Sequence, residues 1–195
     1  MTNAISKLPE PFNEPVWDYA PESAGRKDLE AELRRLRSIC PEIPNWIGDK
    51  KIYTERQEQC ICPHDHNHIL ARFSKAGKQE LEKAISCALE ARTKWASMPW
   101  ENRASIFLKA ADLVTGPYRA RLNAATMLCQ SKNAYQSEID SICEFADFLR
   151  FNVKYLEEIY SEQPPKNAPG IWNRDRKSTR LNSSHSSVSR MPSSA

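Results

Sequence analysis

Side chains able to do chemistry gather in three places. The first is the run Cys60-Ile61-Cys62-Pro63-His64-Asp65-His66-Asn67-His68. Thiols and imidazoles ligate structural zinc when they come as two separated knuckles, spaced CxxC or HxxxH. Here they form one alternating cluster with no second knuckle. The run therefore reads as a polar turn between strands, and no metal is expected. The second place is the pair Cys129 and Cys143, both inside helical patterns. A nucleophilic thiol needs surroundings that stabilise its thiolate. Both cysteines have apolar neighbours, and no His follows them before residue 175, so neither is expected to be catalytic. The third is Glu144, which shares a helical face with Phe148, Phe151 and Tyr155. A carboxylate on an aromatic face is costly to bury alone. Glu144 is thus either paired or peripheral, or it is a polar contact at the mouth of a pocket walled by those rings. The chain has no P-loop, no GxGxxG and no Ser/His/Asp arrangement. These residues alone do not make a complete active site.

The elements that position these groups are mostly helical. Residues 139–160 read IDSICEFADFLRFNVKYLEEIY, without Pro or Gly. At 100° per residue Ile142, Ala146, Leu149, Val153, Leu156 and Tyr160 fall on one side, with Phe148, Phe151 and Tyr155 opposite. A helix with two apolar faces is wedged between two layers. Three further helices precede it. One runs from Lys78 to about Ser97, with a stripe of Leu81, Ala84, Ile85, Ala88, Leu89 and Trp95. The next covers Trp100 to Val114, with Ile106, Phe107, Ala110 and Leu113 expected inward. The third follows Pro117 and ends near Ser131. Residues 24–39 form a shorter amphipathic helix on Leu29, Leu33, Leu36 and Ile39. Gly48-Asp49 marks a hairpin between short β-rich runs, and a second strand pair, 57–61 and 68–73, flanks the His-rich loop. The fold class is mostly α with a few short β-strands.

Thirteen Pro against five Gly mark extended segments at the start and around 164–169. Residues 1–23 form an extended arm, with Val16, Trp17 and Tyr19 as its expected anchors. Of the 28 basic and 25 acidic residues, four and one lie in 175–195, leaving a body of 24 each. A neutral body argues against a nucleic-acid partner. No apolar run approaches the roughly 18 residues of a membrane helix. Six cysteines without CxxC or a secretory signal point to a reducing compartment. Residues 175–195 turn abruptly Ser-rich, and KSTRLNSSHSSVSR resembles translated adapter sequence. That tail is expected to be disordered and non-native.

Five stretches together resemble one family: FNEPVWDYAPES, IPNWIGDKKIYT, PHDHNHIL, RASIFLKAADLVTGPYRARLNAATMLCQSKNAYQSEID and FADFLRFNVKYLEEIYSEQPP. They are similar, colinearly over about residues 11–174, to the N-terminal part of the Δ1-pyrroline-5-carboxylate dehydrogenases. These enzymes, also called L-glutamate γ-semialdehyde dehydrogenases, are a branch of the aldehyde dehydrogenase superfamily. Residues 23–26 depart from the family's usual Gly-Ser-Pro-Glu-Arg turn. The resemblance implies that 24–174 is the incomplete N-terminal part of an α/β aldehyde dehydrogenase domain. It also implies NAD-dependent oxidation of glutamate semialdehyde to glutamate in proline breakdown. In that reaction a Cys thiolate attacks the aldehyde, hydride passes to NAD, and a Glu-activated water hydrolyses the thioester. The catalytic and NAD-binding residues of the family lie beyond the matched stretch, so none is assigned here and the chain alone is expected to be inactive. Two substrate-entrance residues carry over, Glu144 and Phe148. The implied partners are the small aldehyde and further copies of the full-length enzyme. The implied compartment is the cytoplasm, or the mitochondrial matrix in a eukaryote. A stand-alone helical interaction module is the other class these residues allow.

Overall fold

In the computed structural model, which describes residues 7–166, 168–173 and 175, an extended arm leads into α1 (Ala24–Arg37). Five strands follow: β1 (Glu42–Ile43), β2 (Asn45–Ile47), β3 (Lys50–Ile52), β4 (Gln57–Cys62) and β5 (Asp65–Ser74). The rest is helical: α2 (Lys78–Ser97), α3 (Trp100–Thr115), α4 (Arg119–Gln130), α5 (Ala134–Ser137), a π-helical segment (Glu138–Cys143) and α6 (Glu144–Ser161). The expectation for 175–195 falls, apart from Asp175, outside the described residues.

Local chemistry sets the helix starts. The Ser23 hydroxyl accepts from the Arg26 N–H at 3.3 Å and caps α1, whose last turn carries Arg34, Arg35 and Arg37 against the negative end of the dipole. At α2 the Glu80 carboxylate reaches back to the Gly77 N–H at 2.9 Å. At α5, Asn133 and Gln136 cap each other in the same reciprocal way.

The strands form two small sheets. β2 and β3 pair antiparallel across Gly48, whose φ of 63° suits the tight turn. A Cβ there would also lie 2.9 Å from the Cys87 sulfur, so the missing side chain lets this hairpin sit close to α2. β4 and β5 form the second hairpin. β1 adds to β5 in parallel, Glu42 opposite Arg72 and Ile43 opposite Phe73. The turn between β4 and β5 is tighter than the expected six-residue loop, because β5 begins at Asp65 and takes Asp65, His66 and Asn67 into the strand.

Three apolar clusters hold the layers. Ala111 and Val114 of α3 meet Ile142 and Ala146, with Leu122 and Leu149 at the edge. Tyr19, Leu29 and Ala124 join the arm, α1 and α4. Cys62, Leu70 and Leu128 join the second hairpin to α4. The expected inward face of α3 is corrected by the structure. Ile106, Phe107 and Leu113 are exposed, and Ala104, Ala111 and Val114 are buried instead. Small residues let α3 approach α6 closely, and Ile106 and Leu113 are left on the far side, while Phe107 lies on the same stripe as Ala104, Ala111 and Val114 yet stays exposed. The α2 stripe splits similarly: Ala84 and Trp95 are half-buried, while Leu81, Ile85 and Leu89 stay exposed.

The arm is also anchored differently from expectation. Val16 is exposed, and only Tyr19 of the three anchors is buried. Polar groups do the holding. Glu14 bonds to Arg119 at 2.6 Å and to Arg150 at 2.8 Å, and the Pro15 carbonyl accepts from Arg119 at 2.8 Å. The Trp17 N–H and Tyr19 hydroxyl donate to Glu138 at 3.1 and 2.6 Å. Glu138 is fully buried, bonded also to Arg119 and, at 2.7 Å, to Asn123.

Burial alone would raise the Glu138 carboxyl. The hydrogen bonds from Arg119, Tyr19, Asn123 and the Trp17 N–H outweigh it and hold the group below the ordinary carboxylate range. A carboxyl lower in the folded than in the unfolded chain stabilises above the unfolded value, and that stability is lost as pH falls through the folded value. Glu138→Ala should cost roughly 3–5 kcal/mol, because it leaves Arg119 buried without a main partner. Glu138→Gln should remove part of the acid dependence of stability, read as urea midpoints across the acidic range.

Candidate functional site

The longest helical stretch is not one uniform helix. Helical backbone begins at Ala134, earlier than the expected Ile139, and a wide turn spans Glu138–Cys143. There the Glu144 N–H bonds to the Ile139 carbonyl, five residues back. The extra residue in this turn brings Ser137, Glu138, Ile142, Cys143 and Ala146 all inward. Glu144 then opens α6 on the outer side. Ser137 closes the inner contact by donating from its hydroxyl to Asn123 Oδ1 at 2.8 Å.

The two faces expected of this helix are present. Ile142, Ala146 and Val153 are buried against the body, with Leu149 and Leu156 half-buried beside them. Phe145, Phe148, Tyr155 and Ile159 are exposed on the other side, Phe148 at 60%. Phe151 is half-buried and packs its ring 6.4 Å from that of Tyr155. Glu144 is exposed, and among the described residues its carboxylate has no hydrogen-bond or ion-pair partner. The structure thus sets Glu144 and Phe148 one helical turn apart on a solvent-facing aromatic ridge. The arrangement offers an anionic acceptor beside apolar ring faces, suited to a ligand with a cationic and an aliphatic part.

The other chemical residues go elsewhere. Cys143 is buried, and burial followed by the nearby Glu138 charge pushes its thiol up to about 11, which makes it a poor nucleophile. His64 stands in the β4–β5 turn, 3.3 Å from the Cys62 sulfur and 2.8 Å from the Ser131 hydroxyl. Cys62 is fully buried, so no substrate reaches its sulfur. His66 and His68 are carried off along β5, and among the described residues no group of three metal-ligating side chains converges.

A phosphate site on a helix needs a free N-terminus after a Gly-rich turn. The strand-to-helix turn at Gly77 leads into α2, and the Glu80 carboxylate already occupies that end. The Glu138 cluster is the part sequence reasoning did not find. Tyr19 lies 104 residues before Asn123, and Glu138 sits on a different helical segment from Arg119 and Asn123, so no single local pattern signals the cluster.

The described chain is a layer of helices with the outer face of α6 exposed and two small strand sets beside it. The aldehyde dehydrogenase family model matches residues 50–181, and the chain belongs to that family. Among curated relatives it is 49% identical over 172 residues to the Delta-1-pyrroline-5-carboxylate dehydrogenase of Agaricus bisporus, covering 88% of this chain and 32% of the relative. It is 42% identical over 152 residues to the mitochondrial enzyme of that name from Homo sapiens, covering 78% and 27%. The Delta-pyrroline-5-carboxylate dehydrogenase structure from Mycobacterium tuberculosis, bound with NAD and cobalamin, superposes with a TM-score of 0.86 at 41% identity, covering 89% of this chain and 33% of that one. The chain spans about a third of the length of these relatives.

Because the Phe148 side chain rests on no core, Phe148→Ala should change stability by less than about 0.5 kcal/mol. Val153→Ala, which empties space beneath α6, should cost about 1–3 kcal/mol. Phe148→Ala should also lower binding of a hydrophobic dye. Thermal melts and dye titration of the two variants check this.

Proposed function

We propose that this chain is the N-terminal part of an enzyme that oxidises L-glutamate γ-semialdehyde, formed from Δ1-pyrroline-5-carboxylate, to L-glutamate with NAD as hydride acceptor. The observation that carries the reading is the 49% identity to the Agaricus bisporus enzyme across 88% of the chain. The NAD-bound Mycobacterium tuberculosis structure, with a TM-score of 0.85, supports the same cofactor for the whole enzyme. In this reading residues 24–174 build the first part of the dehydrogenase domain and the arm braces it. The exposed faces of α2 and α6 are the surfaces against which the rest of such an enzyme packs. The whole enzyme would assemble from several copies. Relatives from Dictyostelium discoideum and Homo sapiens carry "mitochondrial" in their names, which favours that compartment for this chain over the expected cytoplasm.

The chain's own contribution is to binding. NAD bound to the whole enzyme would supply the hydride acceptor, and no residue of this chain is assigned to hold it. Glu144 would meet the ammonium group of the semialdehyde through its unpaired carboxylate, and Phe148 would wall its methylene carbons. Both residues orient the substrate and exclude water. Neither makes or breaks a bond, and the buried Cys143 thiol takes no part.

A chimera tests the assignment. Residues 11–173 replace the matched stretch of the Agaricus bisporus enzyme, and NADH formation is followed with the semialdehyde as substrate. Turnover is expected in the chimera and none in the present chain alone. Within the chimera, Glu144→Ala should raise KM for the semialdehyde roughly tenfold, about 1.4 kcal/mol, and leave kcat within about twofold. A folded chimera without turnover would overturn the assignment. An unchanged KM would return Glu144 to a surface role.

A further inference from the structure

We infer that Cys60 and Cys129 are a redox pair, able to form a reversible disulfide that clasps the β4–β5 hairpin to α4. Their sulfurs stand 3.9 Å apart, across 69 residues of chain. A disulfide needs a sulfur separation near 2.05 Å, so small side-chain rotations suffice once the backbones are side by side. That backbone approach is set by packing, since Leu128, the residue before Cys129, is buried against Cys62 and Leu70, with Cys60 packed at the edge. Access is provided too, because Cys129 is exposed and Cys60 half-buried.

The other four thiols are placed differently. Cys62 is fully buried against His64, and Cys143 is buried near the Pro15 carbonyl and Glu138. Cys87 lies against the turn at Gly48, on another element. Cys40 is exposed beyond α1. Burial, then the neighbouring Cys60 and Cys62 sulfurs, push the Cys129 thiol up to about 11. At neutral pH Cys129 therefore stays protonated and must give up its proton when it enters the bond.

The oxidant is a low-molecular-weight disulfide. A thiolate of the pair attacks its sulfur–sulfur bond, forms a mixed disulfide and releases one small thiolate. The second cysteine gives up its proton and attacks the protein sulfur of that mixed disulfide, releasing the second small thiolate. Two protein thiols are oxidised, the small disulfide is reduced to two thiols, and these take up the two protons.

The test exposes the full chain to oxidised glutathione, then counts free thiols under denaturing conditions and weighs the intact protein. The six thiols should fall to four with a mass loss of two hydrogens, and dithiothreitol should restore them. Proteolytic mapping should join the peptide of Cys60 to that of Cys129. Cys60→Ser and Cys129→Ser should each abolish the bridge, and Cys40→Ser should leave it intact. Retention of six thiols in the folded chain, a glutathione adduct that never resolves, a bridge between chains, or a bridge to Cys62 would overturn the inference.

Discussion

The buried contact between Glu138 and Arg119 is the constraint on which the rest depends. A carboxylate taken fully out of water is tolerated only when its lone pairs are met. Here Arg119, Asn123, Tyr19 and the Trp17 N–H all donate to it. Those donors come from α4 and from the arm, so meeting one charge ties three stretches of chain together. Arg119 in turn needs more than one acceptor, and it finds Glu14 and the Pro15 carbonyl on the same arm. Its guanidinium also lies 4.0 Å from the Trp17 ring, which covers it from solvent. The arm therefore works as a strap whose buckle is electrostatic, with Tyr19 as its main apolar contact.

The residue that carries this carboxylate also opens the wide turn before α6. The added residue in that turn decides which side chains of the following helix point outward. Without it, each later residue would rotate by about 100° about the axis. Glu144 and Phe148 share a ridge because they stand four residues apart in α6, and the widened turn at 138–143 sets which way that ridge faces. A buried charge and a surface-facing carboxylate are thus linked by helix phase, though they share no atom contact.

Legibility in the sequence followed the range of the determining interaction. The hairpin at Gly48, the break at 130–133 and the two faces of the long helix rest on local signals, and the structure has all of them. The inward face of α3 was misjudged because hydrophobicity ranks Ile106 and Phe107 above Ala104 and Ala111. Close helix packing selects for small size instead. The arm was read through its aromatics, while its fastening lies in Glu14, Arg119 and Glu138, which are polar and distant in sequence. The pairing of β1 with β5 is non-local as well, and only two residues long. Glu144 and Phe148 were legible as a shared face. The family was legible from long colinear stretches, to which hydrophobic pattern contributes little.

The strap has a consequence for the order in which the chain becomes structured. Tyr19 and Glu138 are 119 residues apart, and Glu14 and Arg150 are 136 apart. Such separations give the arm a high contact order and make its docking a late event. At about 5–20 residues per second, a ribosome takes roughly 6–24 s to reach Glu138 after making Tyr19. During that interval the acidic, proline-rich arm lacks its polar partners, and its prolines keep it extended and free of competing helix. Glu138 then arrives close behind Arg119 and Asn123, so the whole acceptor site forms at nearly one moment. The arm is made before its polar partners and fastened after them, and it closes over a cluster that is already assembled.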